Sequence, residues 1–525
     1  MSKQAFRLTY ATMYNPPEEL HTKYEAALEE LRTHFGEEYG MFIDGKDVFT
    51  DDKFENHSPI DTELLLGVFQ KGDESHAQAA LAAARKAAKT WNVTPWQERV
   101  DLLRKAAGMI DERVYTIGAA ISLDVGKNRM EAIADIAETA DLMRYACDQM
   151  EKNNGFIVKM GDDPIVGYKA VNYSILKPHG VWLVIVPFNF PAALAGGPVG
   201  AALVTGNTVV LKPSSDTPWT SRFLAEVYRD AGFPNGVVNY VTGPGSTLGQ
   251  ALIESDELDG ITFTGSYDVG MKIYRTMANG KYPRPTILEM GGKNPAVVSR
   301  NADLDRATQG IVRSAFGMGG QKCSATSRVL VEEPVYDELV AKLVEKIKEL
   351  VLGDPCEKGT FLGPVINEKA FNDYQKYIKD LTKAGELLTG GRVAVEDDFE
   401  KGFFVEPTIV VDVPGDHYLW KHEMFLPIVM IRKVKSLEEA MDIANDVDYG
   451  LTAGIYGTEK EVEWYFQNIQ AGVIYANRPH GATTGAWPGF QPFGGWKGSG
   501  STGKNAGGLY YLQNYMREQI NNLIK

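Results

Sequence analysis

The sequence predicts an α/β protein: a doubly wound parallel sheet of nucleotide-binding type, a second α/β domain after it, and a small β arm. Three observations carry this expectation. The runs Val181–Val186, Thr208–Leu211, Gly236–Val241 and Ile261–Phe263 are almost wholly apolar, as strands covered on both faces must be. Segments with apolar residues three and four apart, Ser221–Ala231 and Leu248–Ile253, lie between them, and buried strands alternating with helices build a parallel sheet. The alternation then returns between residues 291 and 475.

In chain order, Leu20, Tyr24, Ala27, Leu28 and Leu31 recur at helical spacing within Pro17–Phe35, and Gly36 supplies a stop. Met41–Ile43 with the turn Asp44-Gly45-Lys46 predicts a short strand and tight turn. Glu74–Trp91, Pro95–Arg113 and Asn128–Lys152 read as amphipathic helices that cover the sheet. Tyr168–Leu176 alternates polar and apolar residues, the pattern of an exposed arm that finds a partner strand. In the second domain, strands are expected at Ala296–Val298, Arg328–Val331 and Pro427–Lys433, with helices at Leu304–Phe316 and Val335–Leu352.

With 525 residues, 44% of them hydrophobic and 23% charged, the chain has the composition of a globular protein of two or three domains. Its formal charge of −15 and pI near 5.2 argue against nucleic acid and anionic membrane surfaces as partners. Cys147, Cys323 and Cys356 offer neither a disulfide framework nor a metal-ligand spacing, so no metal is expected and a reducing, cytoplasmic compartment is. No apolar run has the length of a signal core or a membrane helix.

Chemistry concentrates around Gly317–Arg328, where three glycines precede Cys323 and a strand follows it. Such a turn presents a thiol as a nucleophile, although the same cysteine reads equally as a small buried hydrophobe. Glu289, ahead of Gly291-Gly292, is either a base that activates water or a solvated carboxylate at a strand end. Asn189, between Pro187-Phe188 and Phe190-Pro191, follows the first sheet strand, where open sheets bind ligands; its amide suits an oxyanion, or a plain turn. Lys212 ends the next strand, and Phe263-Thr264-Gly265-Ser266 ends another with Gly270 beyond, a junction at which free N–H groups face a phosphate. The spacing differs from the generic dinucleotide fingerprint.

Together, Phe188-Asn189-Phe190-Pro191, Lys212-Pro213, Phe263–Ser266, Glu289–Lys293, Gly320–Cys323, Glu423-Met424-Phe425 and Pro492-Phe493-Gly494-Gly495 resemble, in order and spacing, the motifs of the aldehyde dehydrogenase superfamily over nearly the whole chain. The resemblance implies Cys323 as nucleophile, Glu289 as general base, and Asn189 with the Cys323 N–H as oxyanion hole. It assigns the cofactor, NAD or NADP, to Pro187, Phe188, Lys212, Ser214, Ser215, Gly265, Ser266, Gly270, Glu423 and Phe425. A thiolate would attack the aldehyde, hydride would pass to the nicotinamide, and water activated by Glu289 would cleave the thioester. The domains would be 1–158 with 178–290 for the dinucleotide, 291–475 for catalysis, and 159–177 with 498–525 as an oligomerisation arm and tail, giving a homo-oligomer.

Within the superfamily the chain most resembles the 1-pyrroline-5-carboxylate (glutamate-γ-semialdehyde) dehydrogenases, through Gly319–Ala325 and the Ser499–Gly508 ending. That implies Phe190, Ser324, Gly481 and Ala482 around the substrate, the last three at its α-carboxylate. Three departures stand out. Ser215 replaces a glutamate common at the adenosine ribose, which leaves NADP open beside NAD. Leu426 replaces a glycine. The stretch Ala486–Phe490 lengthens a loop, and its Trp487 and Phe490 are expected either to narrow the substrate tunnel, leaving another aliphatic or aromatic aldehyde in play, or to sit in a neutral surface insertion. A catalytically silent relative and a thiol esterase on the same fold remain the alternatives from other classes.

Overall fold

The computed structural model describes residues 16–165, 167, 169–394, 396–481 and 487–525. The first sheet has the strand order Thr286–Glu289, Gly260–Thr264, Val181–Ile185, Thr208–Lys212, Val238–Tyr240, Met41–Ile43, Lys46–Val48. Its first five strands are parallel, and the last two add antiparallel. From Val181–Ile185 the chain steps outward through two strands, then returns to the other side of that strand for Gly260–Thr264. The reversal opens a crevice at the carboxyl ends of Val181–Ile185 and Gly260–Thr264, where open α/β sheets bind ligands.

The second sheet runs Glu386–Thr389, Thr408–Val411, Ile428–Val434, Thr326–Glu332, Asn294–Val298, Thr452–Tyr456, Val473–Ala476, parallel except for its first strand. A third, antiparallel sheet joins Ile157–Lys159, Ala170–Pro178 and the C-terminal Met516–Ile524, the last two paired from Met516 opposite Pro178 to Ile524 opposite Ala170. The arm read at Tyr168–Leu176 therefore has its partner inside the same chain.

Most expected elements lie within a few residues of their sequence bounds, among them Glu74–Trp91, Arg129–Lys152 and Leu304–Phe316. Others carry no period that sequence reading could use. The helix Val114–Val125 is buried all round from Ile117 onward, so it has no polar face. The helix Ala193–Val204 contains Gly196, Gly197, Pro198 and Gly200, residues that carry no helical signal. Its glycines serve close packing instead: a Cβ at Gly196 would lie 2.2 Å from Thr139 Cγ2, so Ala193–Val204 presses directly onto Arg129–Lys152. That contact fixes the wall of the site described next.

Candidate active site

Two cavities meet at Cys323. The larger, about 810 Å³, is the crevice at the strand reversal, and Pro187, Phe188, Asn189, Ser214, Gly265, Ser266, Glu423 and Phe425 all line it. The smaller, about 70 Å³, lies between the helices Arg129–Lys152 and Ala193–Val204 and the C-terminal loops; Glu289 and Phe190 line it with mostly apolar neighbours such as Leu142, Leu194 and Phe493. Cys323, Thr264 and Met290 belong to both walls.

The nucleophile loop is shaped by left-handed backbone at Met318, Gly319 and Gly320 (φ 53°, 60° and 68°). At Gly320 an added Cβ would stand 2.4 Å from the Leu426 carbonyl oxygen, so only glycine fits there. Leu426 itself is buried in the core of the second sheet, which accounts for a large apolar residue at this position. Asn294 ties the loop down, its Nδ2 donating to the carbonyls of Cys323 (2.7 Å) and Ala325 (2.9 Å). Burial pushes the Cys323 thiol up to about 12, the carboxylates of Glu423 and Glu289 add to this, and the N–H groups of Ser324 and Cys323 oppose it.

Asn189 Nδ2 donates to the Gln321 carbonyl at 3.0 Å, which holds the amide against the nucleophile loop with its second hydrogen to spare. Glu289 ends its strand in the small cavity. One carboxylate oxygen, Oε2, has no hydrogen-bond partner among the described residues, and burial raises the group to about 8 despite an N–H from Gly495. On its outer edge this strand is flanked by the loop around 499–501: the Met290 N–H donates to the Ser499 carbonyl, and Ser501 exchanges hydrogen bonds with Leu288 and Thr286.

The crevice suits a dinucleotide. Ser266 begins the helix Tyr267–Ala278 without a side-chain hydrogen bond to it, so the first N–H groups of that helix face the crevice beside Gly265, a phosphate-binding arrangement. Glu423 Oε1 accepts the Gly292 N–H (2.8 Å), and burial lifts this carboxyl to about 7. Phe425, with φ +57°, meets the Phe188 ring edge-on at 5.8 Å. Lys212 is buried behind the wall, donates to the Pro213 carbonyl (3.1 Å), and is lowered to about 8 by burial.

Several expected residues stand elsewhere. Ser215 is exposed, and its neighbours Ser214 and Asp216 line the crevice instead. Gly270 sits a turn inside the helix, where its missing side chain makes room for Met290. Ser324 is buried beneath the nucleophile, its carbonyl accepting from Thr452 Oγ1 at 3.1 Å. Gly481 packs on the helix Leu304–Phe316 and gives its N–H to the Arg478 carbonyl, while Ala482 lies outside the described residues, as does Ala486. Of the two alternatives for the longer loop, the exposure of Phe490 (74%) fits the surface insertion for that residue, while Trp487 is half-buried and the Gly489 backbone presses on the ring of Tyr145, a wall residue. Cys147 and Cys356 are buried away from both cavities.

Sequence reading missed Glu138, which lines the small cavity, and Asp216 in the crevice. The signal for Glu138 was present: Glu131, Asp135 and Glu138 recur at helical spacing on an otherwise buried helix, an acidic stripe where a covering helix should be apolar. Among the described residues no group of three or more histidines, cysteines and carboxylates is placed to hold a metal, and no helix is long and apolar enough to cross a membrane.

Comparison with known proteins agrees with this geometry. The family model described as "Aldehyde dehydrogenase family" matches residues 48–520. The 1-pyrroline-5-carboxylate dehydrogenase of Geobacillus thermodenitrificans is 40% identical over 498 residues, 94% of each chain. The 1-pyrroline-5-carboxylate dehydrogenase 1 of Halalkalibacterium halodurans is 40% identical over 503 residues, again 94% of each. A solved 1-pyrroline-5-carboxylate dehydrogenase from Thermus with bound NAD superposes over the full length of both chains with a TM-score of 0.92 at 33% identity. The chain belongs to the aldehyde dehydrogenase family.

Proposed function

We propose that this chain oxidises L-glutamate-γ-semialdehyde, the open form of 1-pyrroline-5-carboxylate, to L-glutamate through a thioester on Cys323. The observation that carries the reading is the position of Cys323 in the shared wall of a dinucleotide-sized crevice and a smaller cavity. A sulfur there can hold one carbon within reach of both sides. The bound nicotinamide dinucleotide supplies the hydride acceptor. On the protein side, Cys323 adds to the aldehyde carbon, and the Asn189 amide and the Cys323 N–H hold the oxyanion. Glu289, from the small cavity, then takes a proton from the water that releases the acid.

Glu138 lines the small cavity together with Glu289, and its carboxyl group offers charge complementary to the α-ammonium of an amino-acid semialdehyde. Asp216 favours NAD over NADP: its carboxylate, held by Asn367 Nδ2 (3.1 Å) and Ser214 Oγ (3.2 Å), faces the crevice and repels an added phosphate. The reading keeps the two-domain division with an arm at 159–177 and 498–525. The open edge of Met516–Ile524, with exposed Ile520, Leu523 and Ile524, supports a homo-oligomer joined through that arm; the three unpaired cysteines keep the reading of a reducing, cytoplasmic compartment.

The apolar wall of Leu142, Tyr145, Leu194, Phe493 and Leu512 favours a second reading, a short aliphatic or aromatic aldehyde. A substrate panel with NAD and NADP separates them. The proposal expects the highest kcat/KM for the amino-acid semialdehyde with NAD, and a fall for that substrate alone in Glu138→Gln. A preference for unsubstituted aldehydes refutes it.

A further inference from the structure

Four charged groups, three buried and one half-buried, lie behind the catalytic loops. Lys127 Nζ is 3.0 Å from Asp135 Oδ2, and neither side chain is exposed at all. Lys322 Nζ is 2.5 Å from Glu131 Oε1, with 2% and 16% of the two side chains exposed. Glu131 and Asp135 stand one turn apart on the helix Arg129–Lys152, so one helix face serves both pairs.

Each pair grips a different loop. Glu131 Oε2 also accepts the Met318 N–H (3.1 Å), which fixes the turn that precedes Cys323. Asp135 Oδ1 accepts the Ala193 N–H (2.8 Å) at the start of Ala193–Val204, a helix whose own N-cap, Ala192, has no side chain able to accept. Lys127 Nζ lies 3.5 Å from the centre of the Phe190 ring. Phe190 directly follows Asn189 and Ala193 ends the same short loop, so the Lys127–Asp135 pair holds that loop at two points while the Gln321 carbonyl holds the Asn189 amide.

A pair buried this deeply contributes little net stability, because desolvating two charges offsets their attraction. Its effect is to specify a geometry. We propose that Lys127 and Asp135 are positioning residues for the oxyanion pocket, fixing the Phe190 ring and the Ala193 N–H and thereby the aim of the Asn189 amide at the adduct on Cys323. The proposal rests on the oxyanion role given to Asn189 above.

A double-mutant cycle on the NAD-loaded enzyme tests it. Lys127→Met, and the neutral pair Lys127→Met with Asp135→Asn, are each made in the wild-type and Asn189→Ala backgrounds. Misaiming a catalytic donor by an ångström costs up to about 100-fold, so kcat should fall about 10- to 100-fold in the wild-type background. KM and the NADH dissociation constant should stay within about twofold, and in Asn189→Ala the same change should cost less than about twofold. Rescue of kcat by the neutral pair would place the role in charge balance and overturn the proposal. So would an equal fractional loss in both backgrounds, a parallel loss of NADH binding, or failure of both variants to fold. If Asn189→Ala alone leaves kcat intact, the oxyanion assignment fails first; if it lowers kcat while Lys127→Met does not, only the present inference fails.

Discussion

Replacing Glu289 by glutamine separates the two halves of the reaction and yields a pH signature fixed by the structure. Glutamine keeps the shape and can still accept the Gly495 N–H, but it cannot take a proton from water. Loss of a positioned general base costs about 10²- to 10⁴-fold in the step it serves. Burial lifts the Glu289 carboxyl to about 8, so the working, ionised form is the minority species at neutral pH. For such a group the ionised fraction is about 90% at pH 9, about 10% at pH 7 and about 1% at pH 6. The sign follows: deacylation by the wild type rises with pH through about 8, whereas the glutamine variant has no such rise. If the ratio of wild type to variant is about 10³ at pH 9, it shrinks to about 10 at pH 6. Stopped-flow absorbance of the reduced cofactor reads both steps, with a burst of about one equivalent per site from acylation followed by a steady state from hydrolysis. A variant without a burst, or a ratio unchanged between pH 6 and 9, would show that Glu289 does not play this part.

Cys323→Ala should abolish turnover and iodoacetamide labelling at that position while leaving NADH fluorescence titrations unchanged, since the crevice keeps its other walls. Gly291→Ala places a Cβ 2.0 Å from Glu423 Oε2, so the carboxylate must move; KM for the cofactor should rise about tenfold or more, with Cys323 alkylation unaffected. Arg328 is 1% exposed and donates to the carbonyls of Lys293, Ile443 and Ala444, all within 3.0 Å. Arg328→Leu removes the donor from two buried carbonyls and one half-buried one and should destabilise the fold by about 3 kcal/mol, read as a lower midpoint in urea.

The sheet core was legible because buried strands write unbroken apolar runs, and Val181–Val186 and Thr208–Leu211 name their own positions. The site was legible differently. Cys323, Glu289 and Asn189 are individually ambiguous, and only the ordered set of motifs singles them out. What stayed hidden has physical causes. A helix buried on every side, such as Val114–Val125, loses the polar face that betrays a helix. Ala193–Val204 is dressed as a loop by the glycines that let it approach its neighbour. Asp216 was obscured because the family motif points to position 215, whereas Ser215 is exposed here and the residues on either side of it line the crevice. Phe490 was ambiguous because a large aromatic suggests a wall, whereas the contact with Tyr145 is made by the glycine before it.

The edge of the strand that carries Glu289 is completed by the loop at 499–501 and not by another strand of its own sheet. That loop follows the strand it borders by about two hundred residues, so it leaves the ribosome well after it. Translation therefore delivers the sulfur, the amide and the carboxylate well before the piece that seals the carboxylate's flank. A nascent chain halted before residue 495 would have most of both large sheets and an unfinished catalytic wall, so competence waits for that one loop.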